Sequence, residues 1–257
     1  MSERPKIRIR GLTKQFGDKR VLDGIDLDVP EATSMVVIGG SGSGKSVLIK
    51  CILGVIQPDA GTIEIDGRDV LRLESQEQEA VRGEIGMLFQ NGALFDSLPV
   101  WENVAFGLLA RHSVSREQAR ARAGEILAEV GLAASVGELY PAELSGGMLK
   151  RVGLARAIAA KPAMLFFDEP TTGLDPIMGA VIDGLINDCV KGLGRTAIAI
   201  THDMASARRI GDQAAMLYGG RIVWQGAAQQ LMDSGNALVD QFTHGRREGP
   251  IQMELRR

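Results

Sequence analysis

The sequence predicts an α/β protein, a parallel-sheet core carrying an antiparallel β layer and an inserted helical subdomain. Three observations lead there. Short, wholly apolar runs end at glycine or at acidic residues, as in Met35-Val36-Val37-Ile38 before Gly39-Gly40 and Met164-Leu165-Phe166-Phe167 before Asp168. That is the pattern of strands buried on both faces. Near the N-terminus the pattern becomes strict alternation, in Lys6-Ile7-Arg8-Ile9-Arg10 and in the IDLDV that ends the stretch Val21 to Val29, which marks antiparallel strands with one solvated face. From Val100 to Ala160 strand signal nearly vanishes and helical periodicity takes over.

The elements follow in order. After the two alternating strands, Met35 to Ile38 predicts the first core strand and Lys45 to Leu53 the helix behind it. Ile85 to Phe89 supplies another strand. Within the helical stretch, Arg116 to Val130 is a helix, and Pro141 precedes Leu144-Ser145-Gly146-Gly147. Met148 to Ala160 then reads as a long Ala- and Arg-rich helix with Ser-Gly-Gly at its N-terminus. Met164 to Phe167 and Thr196 to Ile200 return to the buried-strand pattern, separated by the helix-length segment Pro176 to Leu193. Residues 7–243 are expected to form the domain, with the helical subdomain inserted at about 100–160, and residues 244–257 a frayed tail of Gly, Pro and scattered charges.

Composition removes several classes of function. A formal charge of -3, with both signs mixed along 257 residues, gives no electrostatic footprint for nucleic acid, so no nucleic-acid partner is expected. Apolar runs such as Met164 to Phe167 fall far short of the roughly 20 residues that a membrane-spanning helix needs. MSERPKIRIR lacks the apolar stretch of a secretory signal, and a cytoplasmic location is expected. Cys51 and Cys189 have no CxxC partner and are expected to be buried, reduced thiols.

Gly39-Gly40-Ser41-Gly42-Ser43-Gly44-Lys45-Ser46 satisfies the phosphate-loop pattern G-x-x-x-x-G-K-[ST], and it lies between a buried strand and a helix, the context that gives the motif its meaning. Glycines let backbone N–H groups converge on phosphate oxygens, the helix N-terminus adds roughly half a positive charge, and Lys45 reaches the terminal phosphates. Ser46 suits a Mg²⁺ ligand. Asp168 and Glu169 put two carboxylates at the carboxyl end of a core strand, where open α/β sheets bind ligands. Asp168 suits the Mg²⁺ shell, and Glu169 suits polarisation of the water that attacks a γ-phosphate, a reaction that needs positioning more than covalent help.

With these motifs in view the chain resembles the ATP-binding-cassette (ABC) family, whose core is a RecA-like P-loop NTPase. Leu144-Ser145-Gly146-Gly147 matches the family signature, Asp168 to Asp175 (DEPTTGLD) the extended Walker B and D-loop, and Thr201-His202-Asp203 the switch histidine, with Gln90 at the Q-loop position. Any one is weak; together, in order, they cover most of the chain. The resemblance implies head-to-tail homodimers, in which Ser145, Gly146 and Gly147 of one subunit close over ATP held by the P-loop of the other. It implies that His202 senses the γ-phosphate, that Gln90 touches Mg²⁺ and reports to a membrane partner, and that Asp175 belongs to the D-loop. Three positions depart from the family pattern. Phe16 stands where a tyrosine usually stacks on adenine, though stacking needs only the ring, and core packing is its alternative. Met148 follows the signature where glutamine is common. Val47 follows Ser46 and would meet the α-phosphate only by its backbone.

GGSGSGKSVLIKCILG, MLFQNGALFDSLPVWENVAFGL and LSGGMLKRVGLARAIA resemble more narrowly the ATPases of Mla/Mce-type lipid transport systems. That resemblance implies a peripheral subunit on the cytoplasmic face of the inner membrane, driving transport of phospholipids or other hydrophobic molecules with a permease and an Mce-domain protein. Ala93, Leu94, Phe95, Leu98 and Trp101 could line the groove for a permease helix, or pack the core against the helical insert. An amino-acid-type importer ATPase is the alternative, and a soluble non-transport ABC ATPase a further one. His112, His244 and the arginine pairs at 246–247 and 256–257 receive no role.

Overall fold

The structure, a computed structural model, describes residues 5–110 and 114–252; His112, Arg256 and Arg257 lie outside the described residues. In chain order the elements are β1 (Ile7–Phe16), β2 (Lys19–Val29), β3 (Ser34–Ile38), α1 (Lys45–Ile52), β4 (Ala60–Ile65), β5 (Arg68–Asp69), α2 (Ser75–Gly83), β6 (Ile85–Leu88) and α3 (Val100–Ala110). They continue with α4 (Arg116–Glu129), α5 (Gly146–Ile158), β7 (Met164–Asp168), α6 (Pro176–Lys191), β8 (Thr196–Thr201), α7 (Met204–Ile210), β9 (Gln213–Tyr218), β10 (Arg221–Ala227) and α8 (Ala237–Thr243). Two compact units result, one from Met1–Glu74 with Ile198–Arg257, the other Ser75–Ala197.

In the first unit, β2, β1, β4 and β5 form an antiparallel sheet in that order. Ile7 pairs with Val29 and Ile65, and Ile9 with Leu27 and Ile63; all six are buried. Arg8 and Arg10 point to the other face, where Arg10 meets Asp28 at 2.7 Å and Arg8 meets Glu64 at 3.6 Å. A one-residue slip would exchange these faces, so the alternation sets the register. β3 is parallel to β9, and β10 adds an antiparallel edge to β9. All five residues of β3 are buried, which is why its sequence carries no alternation.

The tail departs from expectation. Gln241 on α8 is buried; its Oε1 accepts from the Ile251 N–H at 2.6 Å, and its Nε2 donates to the carbonyls of Arg246 and Ile251. Arg246 pairs with Asp240 at 2.6 Å. The chain through Ile251 is thus anchored rather than frayed, because one buried amide satisfies three backbone groups.

In the second unit, β6 and β7 run parallel, Ile85 beside Met164 and Leu88 beside Phe167. The stretch from Val100 to Ala160 holds α3, α4, α5 and two short 3₁₀ turns, with no strand among the described residues. Ser115 caps α4 by a reciprocal pair with Gln118, and Ala119, Ala123, Ile126 and Leu127 form its buried face. α5 starts at Gly146, two residues before the expected Met148, because Ser145 is its N-cap and accepts from the Met148 N–H. Gly153 lets α5 approach closely: a Cβ there would lie 2.7 Å from Leu88 Cδ1 and 3.3 Å from Gly92 Cα.

No helix among the described residues is long and apolar enough to cross a membrane. Both cysteines are free thiols, and burial pushes each up to about 11. Cys51 is buried, but Cys189 is only half-buried, since it flanks the Ile182, Ile186, Val190 face that α6 turns inward.

Candidate nucleotide site

In the first unit the phosphate loop spans the turn from buried β3 into α1. Gly39 has φ 155°, and a Cβ there would sit 2.4 Å from the Leu217 carbonyl oxygen, so the loop's first position needs glycine. Gly44, φ 107°, is the N-cap of α1 and offers no side-chain cap, leaving the helix-start N–H groups for an anion. Lys45 is 7 % exposed; its Nζ donates to the Gly39 carbonyl at 2.7 Å and the Gly40 carbonyl at 3.0 Å. The ammonium is therefore folded onto the loop it serves. Ser41, Gly42 and Ser46 are exposed, and Ser43 and Val47 half-buried.

Phe16 ends β1 at the hairpin with β2, opposite Lys19. It is 47 % exposed, which removes core packing as its role, and Lys14 Nζ lies 5.3 Å from its ring. His202 is exposed just past β8; Asp203 beside it caps α7, accepting from the Ala205 and Ser206 N–H groups.

The second unit holds the other sequence-predicted residues. Asp168 is the last residue of β7, and Glu169 follows with φ 51°, left-handed for a residue with a side chain. Such a conformation costs of order 1–3 kcal/mol and persists only where neighbours enforce it. Here the neighbours are named: Thr172 N–H donates to the Glu169 carbonyl at 3.3 Å, the Thr172 hydroxyl donates to Glu169 Oε2 at 2.9 Å, and Lys150 Nζ also donates to the Glu169 carbonyl at 3.3 Å. Asp175 caps α6, accepting from the Ile177 and Met178 N–H groups at 3.0 Å each. Ser145 is exposed, and Gly146 and Gly147 make the first turn of α5, which holds no acidic residue. Gln90 is exposed two residues past β6.

Sequence reasoning missed the residues that hold the segment after Gln90. Lys150, 5 % exposed, donates to the Gln90 carbonyl. Arg156 donates to the carbonyls of Gly92 and Ala93 at 2.7 and 2.6 Å. Asn103, fully buried, accepts from the Phe95 N–H at 2.7 Å and donates to the Phe95, Leu98 and Pro99 carbonyls. Lys150 was detectable as a charge on the helix face that also carries Leu154, Ala157 and Ile158; the others had no sequence signal. This pinning turns Phe95 outward, 44 % exposed, with its ring 4.6 Å from Phe106. Trp101 does not join it. It is buried under the Arg116 guanidinium, 4.9 Å from its ring, so the expected groove lining loses this residue to packing within the helical segment.

A glycine loop closed on a buried lysine at a strand-to-helix turn, in a chain with an acidic pair at a second core strand's end, defines a nucleotide-binding P-loop protein. The model of the ABC transporter family matches residues 22–172. A probable ribonucleotide transport ATP-binding protein of Mycobacterium leprae is 39 % identical over 96 % of this chain and 71 % of its own length. The intermembrane phospholipid transport ATP-binding protein MlaF of Haemophilus influenzae is 38 % identical over 96 % and 94 %, and a methionine import ATP-binding protein of Rhizobium etli 43 % over 86 % and 60 %. A solved dimeric ATP-binding cassette in a post-hydrolysis state, bound to ADP and Pi, superposes with a TM-score of 0.79 at 30 % identity, covering 86 % of this chain and 98 % of that one. The chain belongs to the ABC transporter family and is an ATP-binding, ATP-hydrolysing subunit of a transporter.

Proposed function

We propose that this ATPase drives transport of phospholipids or related hydrophobic molecules at the bacterial inner membrane, as a homodimer on the cytoplasmic face working with an integral-membrane permease and an Mce-domain protein. The observation that carries this reading is the likeness to the Haemophilus influenzae phospholipid transport protein, which runs through 94 % of that protein's length. The methionine import relative supports a second reading, an amino-acid-type importer ATPase, but through only 60 % of its length. A soluble, non-transport ABC ATPase has no such relative among these.

In this reading Phe16 stacks on adenine, the loop from Gly39 to Ser46 cradles the phosphates with Lys45 on the terminal pair, and the Val47 backbone meets the α-phosphate. Lys45 exchanges its loop carbonyls for phosphate oxygens as nucleotide enters, a swap of neutral acceptors for charged ones. By the family resemblance Ser46, Gln90 and Asp168 would hold Mg²⁺, since a hydroxyl, an amide carbonyl and a carboxylate are oxygen donors of the kind that ion takes. Bound there, the ion would neutralise charge on the phosphates. Glu169 polarises or orients the attacking water, its carboxylate held at a strand end by Thr172. His202 contacts the γ-phosphate. Ser145, Gly146 and Gly147 present the acid-free start of α5 to the γ-phosphate on the partner subunit, with Asp175 in the adjoining D-loop.

Two measurements test this. Glu169→Gln should keep nucleotide affinity, lose hydrolysis and accumulate as an ATP-bound dimer; wild-type hydrolysis would reject the role of Glu169. Affinity purification from membranes should recover a permease and an Mce-domain protein, whereas a periplasmic amino-acid-binding protein in their place would sink the lipid reading.

A further inference from the structure

α5 turns a lysine into the interior of its unit. Lys150 is 5 % exposed, and burying an ammonium is costly unless hydrogen bonds and charge compensate. Its acceptors are two backbone carbonyls from separate segments, that of Gln90 past β6 and that of Glu169 past β7. Burial pushes the ammonium's pKa down, while the Asp168 and Glu169 carboxylates pull it up. A methionine of similar length would fill the same space without that cost, so packing alone does not account for a charge here. The Glu169 carbonyl is also the group that turns with its left-handed backbone, φ 51°, and Arg156, less than two turns further along α5, grips Gly92 and Ala93 just beyond Gln90.

We propose that Lys150 is a positioning residue for ATP hydrolysis: by clamping the Gln90 and Glu169 carbonyls to one point on α5, it sets the Glu169 carboxylate and the Gln90 side chain in a single arrangement. This rests on the reading of Glu169 and Gln90 as residues of the hydrolytic site. Because α5 begins with the signature residues, the clamp also ties the helix start that would face a partner's nucleotide to the residue that activates water. Lys150 itself touches no reacting atom in this scheme, and its effect passes through two backbones.

The test compares Lys150→Met, which keeps the length and removes the donors, with Lys150→Arg, which keeps a charged donor, in the full-length chain. Misplacing a catalytic group by about 1 Å can cost about a hundredfold, so Lys150→Met should lower kcat by about tenfold or more. Nucleotide affinity, read by equilibrium binding of ATP, should stay within about twofold, and Lys150→Arg should regain most of the rate. A Met variant with wild-type kcat overturns the proposal, and so does a parallel loss of affinity and thermal stability, which would make the lysine a packing element. If Lys150→Met is not recovered folded, Lys150→Ala is read by the same criteria. Glu169→Gln run alongside separates the two ideas: hydrolysis surviving in Glu169→Gln rejects the role of Glu169, whereas hydrolysis lost there but intact in Lys150→Met rejects the clamp alone.

Discussion

The Thr172 hydroxyl donates to Glu169 Oε2 at 2.9 Å, while the Thr172 N–H donates to the Glu169 carbonyl at 3.3 Å. One residue thus restrains both the carboxylate and the backbone of the proposed water-activating glutamate. Thr172→Val removes the hydroxyl bond and keeps the side-chain shape. A hydrogen bond to a carboxylate contributes about 1.5–3 kcal/mol, so kcat should fall by about tenfold or more if the bond matters only at the barrier. The N–H bond survives the substitution, so ATP affinity should not change. Steady-state kinetics beside equilibrium nucleotide binding check both halves, and an unchanged kcat would remove Thr172 from the site.

Phe16 presents nearly half of its surface to solvent at a hairpin end, with Lys14 above the ring and Lys14 held by Asp59 at 2.8 Å. A ring so placed contributes little to the core, so its substitution should shift folding stability by no more than about 0.5 kcal/mol. If it stacks on adenine, the loss appears in binding instead. Base stacking on an aromatic side chain contributes about 1–3 kcal/mol by alanine substitution, so Phe16→Ala should weaken ATP binding by about fivefold to a hundredfold. Phe16→Trp should retain it. Equal weakening for ATP and for inorganic triphosphate would show that the ring does not read the base.

How much of this was legible in the sequence depended on whether a residue's role is local. The turn from Gly39 to Lys45 could be read because a buried strand, its glycines and the lysine are contiguous, and the structure adds the backbone positions that require glycine and the folding of Lys45 onto the Gly39 and Gly40 carbonyls. The β1 alternation was legible for the same reason, since the two faces of a strand are written in consecutive residues. Phe16 and Trp101 were ambiguous because an aromatic residue fits a core and a binding surface equally well; the fold exposes one and covers the other with Arg116. Lys150, Arg156 and Asn103 act on backbone carbonyls up to 64 residues away, and no local pattern encodes such a partner. The tail erred for that reason too, as Gly and Pro at positions 245–250 advertise disorder while Gln241 supplies the anchor.

Phe95 is exposed because its backbone is not free to turn it inward. Asn103 holds the Phe95 N–H and carbonyl, Arg156 holds Gly92 and Ala93, and the ring leans on Phe106 with 35° between planes. Phe89, at 40 % exposure, and Phe106, at 42 %, extend the same unit's exposed aromatic surface. Exposed aromatic residues that line a groove suit an amphipathic helix, and the proposed partner with such helices is the permease. Phe95→Arg puts a charge where an apolar side chain would dock, an unpaired cation that a desolvated contact cannot accept without a cost of several kcal/mol. The isolated subunit should be little changed, since the arginine side chain can reach solvent from a position already 44 % exposed. Thermal midpoint, ATP affinity and basal hydrolysis should therefore stay near wild type, while recovery of the permease on affinity purification from membranes should fall by about tenfold or more, about 1.4 kcal/mol of lost association. Undiminished recovery would show that the permease docks elsewhere, and lost ATP binding would show that Phe95 supports the fold rather than the contact.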